Sequence, residues 1–279
     1  MKYVKNPTYT KYITGEIKRF NEDDNAFSRG AVGDGDKYSD MHDQSVENIE
    51  KMIPGKTILE HAHWVEGRTV DYQLRKTSMA RDEGPIYNKR YRLKKPNPRA
   101  LTSIIKDLAR WLGADLAGIT RLDRRWLYSH WGTPTGTCDP VYKAGDPIEL
   151  PEDYEWVIVI IHEMDYENMQ KTPAVEASTD IGYSRINATT GSIATYIREL
   201  GFRAVPAGNE IGLSIPMAVD AGLGELGRLG LLITREFGPR VRIGKVFTNL
   251  PLVPDTPVDL GIQKFCEECK LCAKHCIAG

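Results

Sequence analysis

The chain has 279 residues, 27% of them charged, with 37 Lys and Arg against 38 Asp and Glu. That length serves one large domain or a domain with an appendage, and the near-neutral field gives no footing for a polyanionic partner. The longest apolar runs, such as Trp156 to Ile161, fall far short of the ~20 residues that cross a bilayer.

Residues 1–98 are rich in Asp, Asn, Gly, Lys and Arg without periodicity, as in "NEDDNAFSRGAVGDGDKYSD", and read as an irregular covering segment. The opening "MKYVKNPTYTKYITGEIKRF" has no apolar export core and no paired arginines. Arg124 and Arg125 do form a pair, but internally and beside Trp126. The basic run Lys89 to Arg99, broken by two prolines, reads as a solvated linker in preference to a nucleic-acid patch. As written the chain reads as cytoplasmic.

A domain over residues 99–260 follows. "PRALTSIIKDLARWLG" places Leu101, Ile104, Ile105, Leu108, Trp111 and Leu112 at helical spacing, with Pro98 at its start and Gly113 at its end. "ADLAGIT" reads as a strand. "EWVIVIIHEM" is a continuous β-branched run, suited to the centre of a mixed or parallel sheet covered on both faces. The segment from Ala174 to Leu200 places Ile193, Ala194, Ile197 and Leu200 on one helical face and closes at Gly201. "FRAVPAG" is the next strand, "PMAVDAGLGELGRLG" a Gly-rich helix and turn, and "VRIGKVFTNLPL" a further strand. Helices alternating with short strands predict an α/β or α+β layered fold. "GLGELG" (Gly222 to Gly227) contains G-x-G-x-x-G but follows a helical stretch where a strand is needed, so it makes a poor dinucleotide site.

Residues 261–279 carry Cys266, Cys269, Cys272 and Cys276, spaced C-x2-C-x2-C-x3-C. Thiolates bind soft metals, and four packed this tightly suit an iron–sulfur cluster better than a zinc site, whose ligands come as two separated pairs. This spacing is the bacterial ferredoxin run, with Ile277 in place of the usual proline. Three of the four would hold one 4Fe-4S cluster and Cys276 would serve a second, whose remaining ligands are not in the sequence. The expectation is of a fragment ending inside a ferredoxin-like region. Cys138, far upstream, reads as a small buried hydrophobe instead of a missing ligand.

"ARWLGADLAGITRLDRRWLYSHWG", the long block from "DIGYSRINATTG" to "VFTNLPL" and the cysteine run, in this order, resemble the corrinoid-dependent reductive dehalogenases over about residues 98 to 276. The resemblance implies a nitroreductase-like domain that binds a cobalamin-type corrinoid, followed by two 4Fe-4S clusters. It implies a small halogenated organic substrate, an electron donor that the sequence does not name, and a membrane anchor protein as partner, with no nucleic acid. Respiratory members are exported to the outer face of the cytoplasmic membrane, and a chain whose leader was removed would look the same. "DMHDQS" (Asp40 to Ser45) has two elements of the D-x-H-x-x-G corrinoid motif but serine at the glycine position. It is read as coincidence, since the family holds its corrinoid without a protein ligand to cobalt.

The resemblance also implies a catalytic trio: Tyr183 in "GYSR", Asn209 in "AGNEIG" and Arg242 in "RVRIGK". Replacing carbon–halogen by carbon–hydrogen takes two electrons and one proton, and reduced cobalt supplies the electrons. Tyr183 would give the proton, Arg242 would stabilise the phenolate left behind, and Asn209 would hold the phenol or the substrate by a hydrogen bond. Taken singly, the same residues read as a packed tyrosine, a surface arginine and a turn. Two other readings stand beside dehalogenation: an epoxyqueuosine reductase acting on transfer RNA, and a non-catalytic electron or corrinoid carrier.

Overall fold

A computed structural model describes residues 1–25, 47–54, 57–67, 70–71, 80–86, 92–132, 142–170 and 174–276. Cys138, the Asp40 to Ser45 stretch, Ile277 and the start of the Lys89 to Arg99 run lie outside these residues.

The amino-terminal segment is tied down at several points despite its lack of periodicity. Lys2–Tyr3 (β1) pairs antiparallel with Asp259 and Val258. Thr8–Tyr12 forms a 3-10 turn, and Ile58–Gly67 is a helix (α1). Pro98–Trp111 (α2) begins as its sequence dictates: the Asn97 side chain accepts from the backbone N–H of Arg99 and Ala100, and Pro98 occupies the first turn. Leu101, Ile105 and Ala109 bury one stripe of it. Ile104 is 42% exposed and Trp111 82%, because they fall on the flank of the helix that nothing among the described residues covers.

Leu116–Arg121 (β2) and Trp156–Glu163 (β3) follow, then the short helix Tyr166–Met169 (α3) and the long helix Ala174–Glu199 (α4). Gly201, with φ of 83°, closes α4, a left-handed position that favours glycine. Ala204–Ala207 (β4), Ser214–Asp220 (α5), the paired strands Glu225–Leu226 (β5) and Leu232–Ile233 (β6), Val241–Thr248 (β7) and Val258–Asp259 (β8) come next. The described chain ends on Ile262–Cys269 (α6) and Leu271–Lys274 (α7).

The main sheet runs β2-β3-β7-β4, and every neighbouring pair is antiparallel. This corrects the mixed or parallel sheet expected from "EWVIVIIHEM". A continuous apolar run reports burial of both strand faces and says nothing of strand direction; here both faces are covered, and β3 is buried from Trp156 to His162.

One face packs Ile119, Ile158, Ile160 and Val246 against Ile105 of α2 and Ile193, Ala194 and Ile197 of α4. The other packs Val157, Val159, Ile161 and Phe247 against Met217 and Val219 of α5 and against Trp126 and Leu127. Each fully buried Ile contributes about 1.5–3 kcal/mol, so these two layers dominate the stability. The protein is therefore α+β. "GLGELG" lies in the turn after α5 and enters the β5–β6 hairpin, so the helix that a dinucleotide site requires is missing after it.

Candidate active site

A cavity of about 570 Å³ opens beside the start of β7. Its walls come from distant parts of the sequence: Tyr9 and Tyr12 from the amino-terminal turn, Trp126 after β2, Leu213 before α5, Leu232 of β6 and Ile243 of β7. Asn209 and Arg242 also line it.

The aromatic wall is held by one carboxylate. Asp220, at the end of α5, accepts from Tyr9 Oη at 2.5 Å and from Trp126 Nε1 at 3.1 Å. The Tyr9 and Trp126 rings meet edge to face with centroids 5.7 Å apart, a favoured aromatic geometry. Burial pushes Asp220 up to about 6, against the pull of its two donors, and also raises the Tyr9 phenol.

The structure brings Tyr183, Asn209 and Arg242 together. Tyr183 sits on α4, and its Oη accepts from Asn209 Nδ2 at 2.8 Å. The Arg242 guanidinium lies over the Tyr183 ring at 5.0 Å from the centroid, within cation–π range. Arg242 Nη2 donates to Thr179 Oγ1 at 2.8 Å, one turn earlier on the same helix. Arg242 Nε is buried with no hydrogen-bond partner among the described residues. A buried donor left without an acceptor is costly, so an acceptor brought to this position would be stabilised.

Asn209 stands on the loop between β4 and α5, and a residue the sequence reading passed over secures that loop. Lys245 on β7 is fully buried and donates to Gly208 O at 2.6 Å, Gly212 O at 2.9 Å and Ser214 Oγ at 2.6 Å. Burial pushes its ammonium down to about 8, with Glu210 and Glu22 opposing. Burial likewise raises Glu22, which accepts from Gly132 N at 3.0 Å, to about 7. A lysine inside an apolar strand was the available signal for this cluster.

The cysteines lie on and just after α6 and α7, next to the β5–β6 hairpin. Cys266 and Cys269 are half-buried and Cys272 and Cys276 exposed, all as free thiols. Lys270, with φ of 53°, turns the chain between α6 and α7. Glu225 Oε2 accepts from Leu260 N at 2.6 Å and Ile262 N at 3.1 Å, so it caps the start of α6. Arg228 Nε donates to Cys266 O at 3.2 Å. A thiol-only donor set suits iron–sulfur ligation, although among the described residues no three His, Cys, Asp or Glu side chains are grouped as metal ligands. Among those residues, too, no helix is long and apolar enough to cross a membrane.

No protein-family model matches the chain. It is 42% identical over 207 aligned positions to a tetrachloroethene reductive dehalogenase of Desulfitobacterium hafniense, covering 63% of this chain and 38% of that protein. It is 40% identical over 203 positions to the tetrachloroethene reductive dehalogenase of Sulfurospirillum multivorans, covering 64% and 40%. An epoxyqueuosine reductase of Listeria monocytogenes matches only 23% of the chain. The fold superposes on the catabolic reductive dehalogenase NpRdhA with a TM-score of 0.75 at 24% identity, covering 99% of this chain and 37% of that one. The chain thus spans about two fifths of the length of the curated relatives it matches. By sequence over about 63% of its length, and by fold over nearly all of it, the chain is similar to reductive dehalogenases.

Proposed function

We propose that this chain takes part in the reductive dehalogenation of a small organohalide, with chlorinated ethenes the class to test first. The observation that carries the reading is the contact of Asn209 with the Tyr183 hydroxyl beneath the Arg242 guanidinium, with Asn209 and Arg242 on the wall of a mostly apolar cavity. The 40–42% identical relatives are named for tetrachloroethene, and a solved relative was captured with 3-bromo-4-hydroxybenzoic acid.

The overall change is R–X + 2e⁻ + H⁺ → R–H + X⁻. Tyr183 Oη gives the proton; it accepts from Asn209, so it keeps its own hydrogen as a donor. Arg242 stays charged throughout and stabilises the phenolate that results. Apolar walls at Leu213, Val219 and Leu232 exclude water from the reacting carbon.

The same residues would hold a corrinoid: Leu213, Val219 and Leu232 would give it apolar contact, and Arg242 Nε, without a partner among the described residues, would give it a hydrogen-bond donor. Bound there, a reduced cobalt corrinoid supplies the two electrons. Cys266, Cys269, Cys272 and Cys276 would hold the iron–sulfur group that replenishes them.

The test is anaerobic reconstitution of the protein with cobalamin, iron and sulfide, followed by measurement of chloride released from tetrachloroethene under a low-potential reductant. Release above that of the same cobalamin free in solution supports the reading. Failure to retain corrinoid, or release no faster than the free cofactor, overturns it.

A further inference from the structure

We infer that Lys245 is a positioning residue for Tyr183: its ammonium group fixes the loop of residues 208–214 and so sets the amide of Asn209 against the phenol. The inference rests on the proton-donor role proposed for Tyr183.

Three observations carry it. The first is that all three lysine donors are spent on one loop, at Gly208 O, Gly212 O and Ser214 Oγ, and these acceptors bracket Asn209 on both sides. The second is that the loop is under strain. Ile211 has φ of 74°, a left-handed conformation that costs a β-branched residue about 1–3 kcal/mol and persists only when its surroundings impose it. At Gly212 a Cβ would lie 2.6 Å from Trp126 O, so the backbone passes too close for any side chain. The third is that the position is expensive. Val241, Ile243 and Phe247 pack into the apolar cluster on this face, and a buried charge among them is tolerated only when its hydrogen bonds are satisfied. Glu210 completes the clamp, its Oε2 accepting from Gly208 N at 2.7 Å.

A lysine suits this work better than an arginine. Its ammonium group is a compact point with three rotatable donors, matched to three acceptors that converge from different directions, whereas a guanidinium fork is planar. Lys245 reaches the cavity wall only through Ser214, and no hydrogen bond among the described residues joins it to Tyr183; it acts on the phenol through Asn209.

The experiment reads the phenol directly and needs no cofactor. Tyrosine carrying carbon-13 at the ring carbon bonded to oxygen is incorporated, and the Tyr183 resonance is assigned by its loss in Tyr183→Phe. Lys245→Met should move that resonance in the direction and by about the amount that Asn209→Ala does. The double variant should add nothing further, because both changes break one chain of contacts. A Tyr183 signal unmoved in folded Lys245→Met protein, or a double variant equal to the sum of the singles, overturns the inference. Should Lys245→Met fail to fold, Ser214→Ala removes one of the three acceptors and is read the same way. Halide release by the parent protein is a separate measurement. Its absence counts against the proposed reaction, while the resonance alone decides whether Lys245 positions Asn209.

Discussion

Gly182 and Arg242 face each other so closely that a methyl group on the glycine would come within 2.7 Å of Arg242 Cγ. The contact lets the guanidinium lie across the neighbouring Tyr183 ring. In Gly182→Ala the better helix former gains about 1 kcal/mol of propensity, while the arginine stem must shift. We expect an unfolding midpoint close to the parent's and at least a tenfold fall in halide release. Loss of stability with unchanged turnover would count against a role for this contact in the chemistry.

Tyr183→Phe isolates the hydroxyl. It removes the acceptor of the Asn209 amide at 2.8 Å and leaves the ring beneath Arg242. Since Asn209 is exposed, the amide regains water and stability should change by less than about 1 kcal/mol. Turnover should fall by about 10²–10⁴, the usual worth of a positioned acid. Steady-state kinetics with tetrachloroethene, beside thermal unfolding, separates the two effects.

Stability against pH carries contributions of both signs, and His162 and Glu22 supply one of each. His162 is buried on β3, its Nε2 in contact with Thr189 Oγ1 at 3.1 Å, and burial pushes it down to about 4. Between pH ~6.5 and ~4 the unfolded chain takes up a proton that the folded protein refuses, so this residue lowers stability as pH falls through that window. Glu22, raised to about 7, works the other way: the folded protein holds a proton that the unfolded chain releases, so stability rises as pH falls from ~7 to ~4.5. Relative to the parent, His162→Leu should gain stability on acidification, and Glu22→Gln should lose it. Urea unfolding at pH 7.5, 6 and 5 checks both slopes.

Glu225 offers a fourth test, at the junction of cavity and cysteines. Its carboxylate satisfies two backbone N–H groups at the start of α6, and Glu225→Ala leaves them without that acceptor. The expected cost is about 1–3 kcal/mol, concentrated locally. Hydrogen exchange over residues 260–270 should quicken while that of the main sheet stays as in the parent. Uniform quickening across the sheet would mean that the carboxylate supports the whole fold and has no special bearing on α6.

The helices Pro98–Trp111 and Ala174–Glu199 and the principal strands were legible because each carries its own period and its own stop signal. Sheet direction was not, because pairing joins segments far apart in the chain: Trp156 lies between Arg121 and Thr248. Ile104 and Trp111 looked like core by spacing, yet spacing cannot say how wide a stripe the neighbouring layer covers. Tyr183, Asn209 and Arg242 were singled out by resemblance, and no local pattern places them together. Lys245 and Glu225 were passed over for a different reason: their sequence positions do not show the backbone groups they bind until the loops around them are in place.

The two-stranded ribbon that joins Lys2–Tyr3 to Val258–Asp259 links residues more than 250 positions apart in sequence. It can close only once almost the entire described chain has left the ribosome, and such distant pairings are slow to form. The turn bearing Tyr9 and Tyr12, which follows the first strand of that ribbon, is thus among the last parts of the cavity wall to be secured. The ribbon is a second tether on that wall, beside the hydrogen bond from Tyr9 to Asp220.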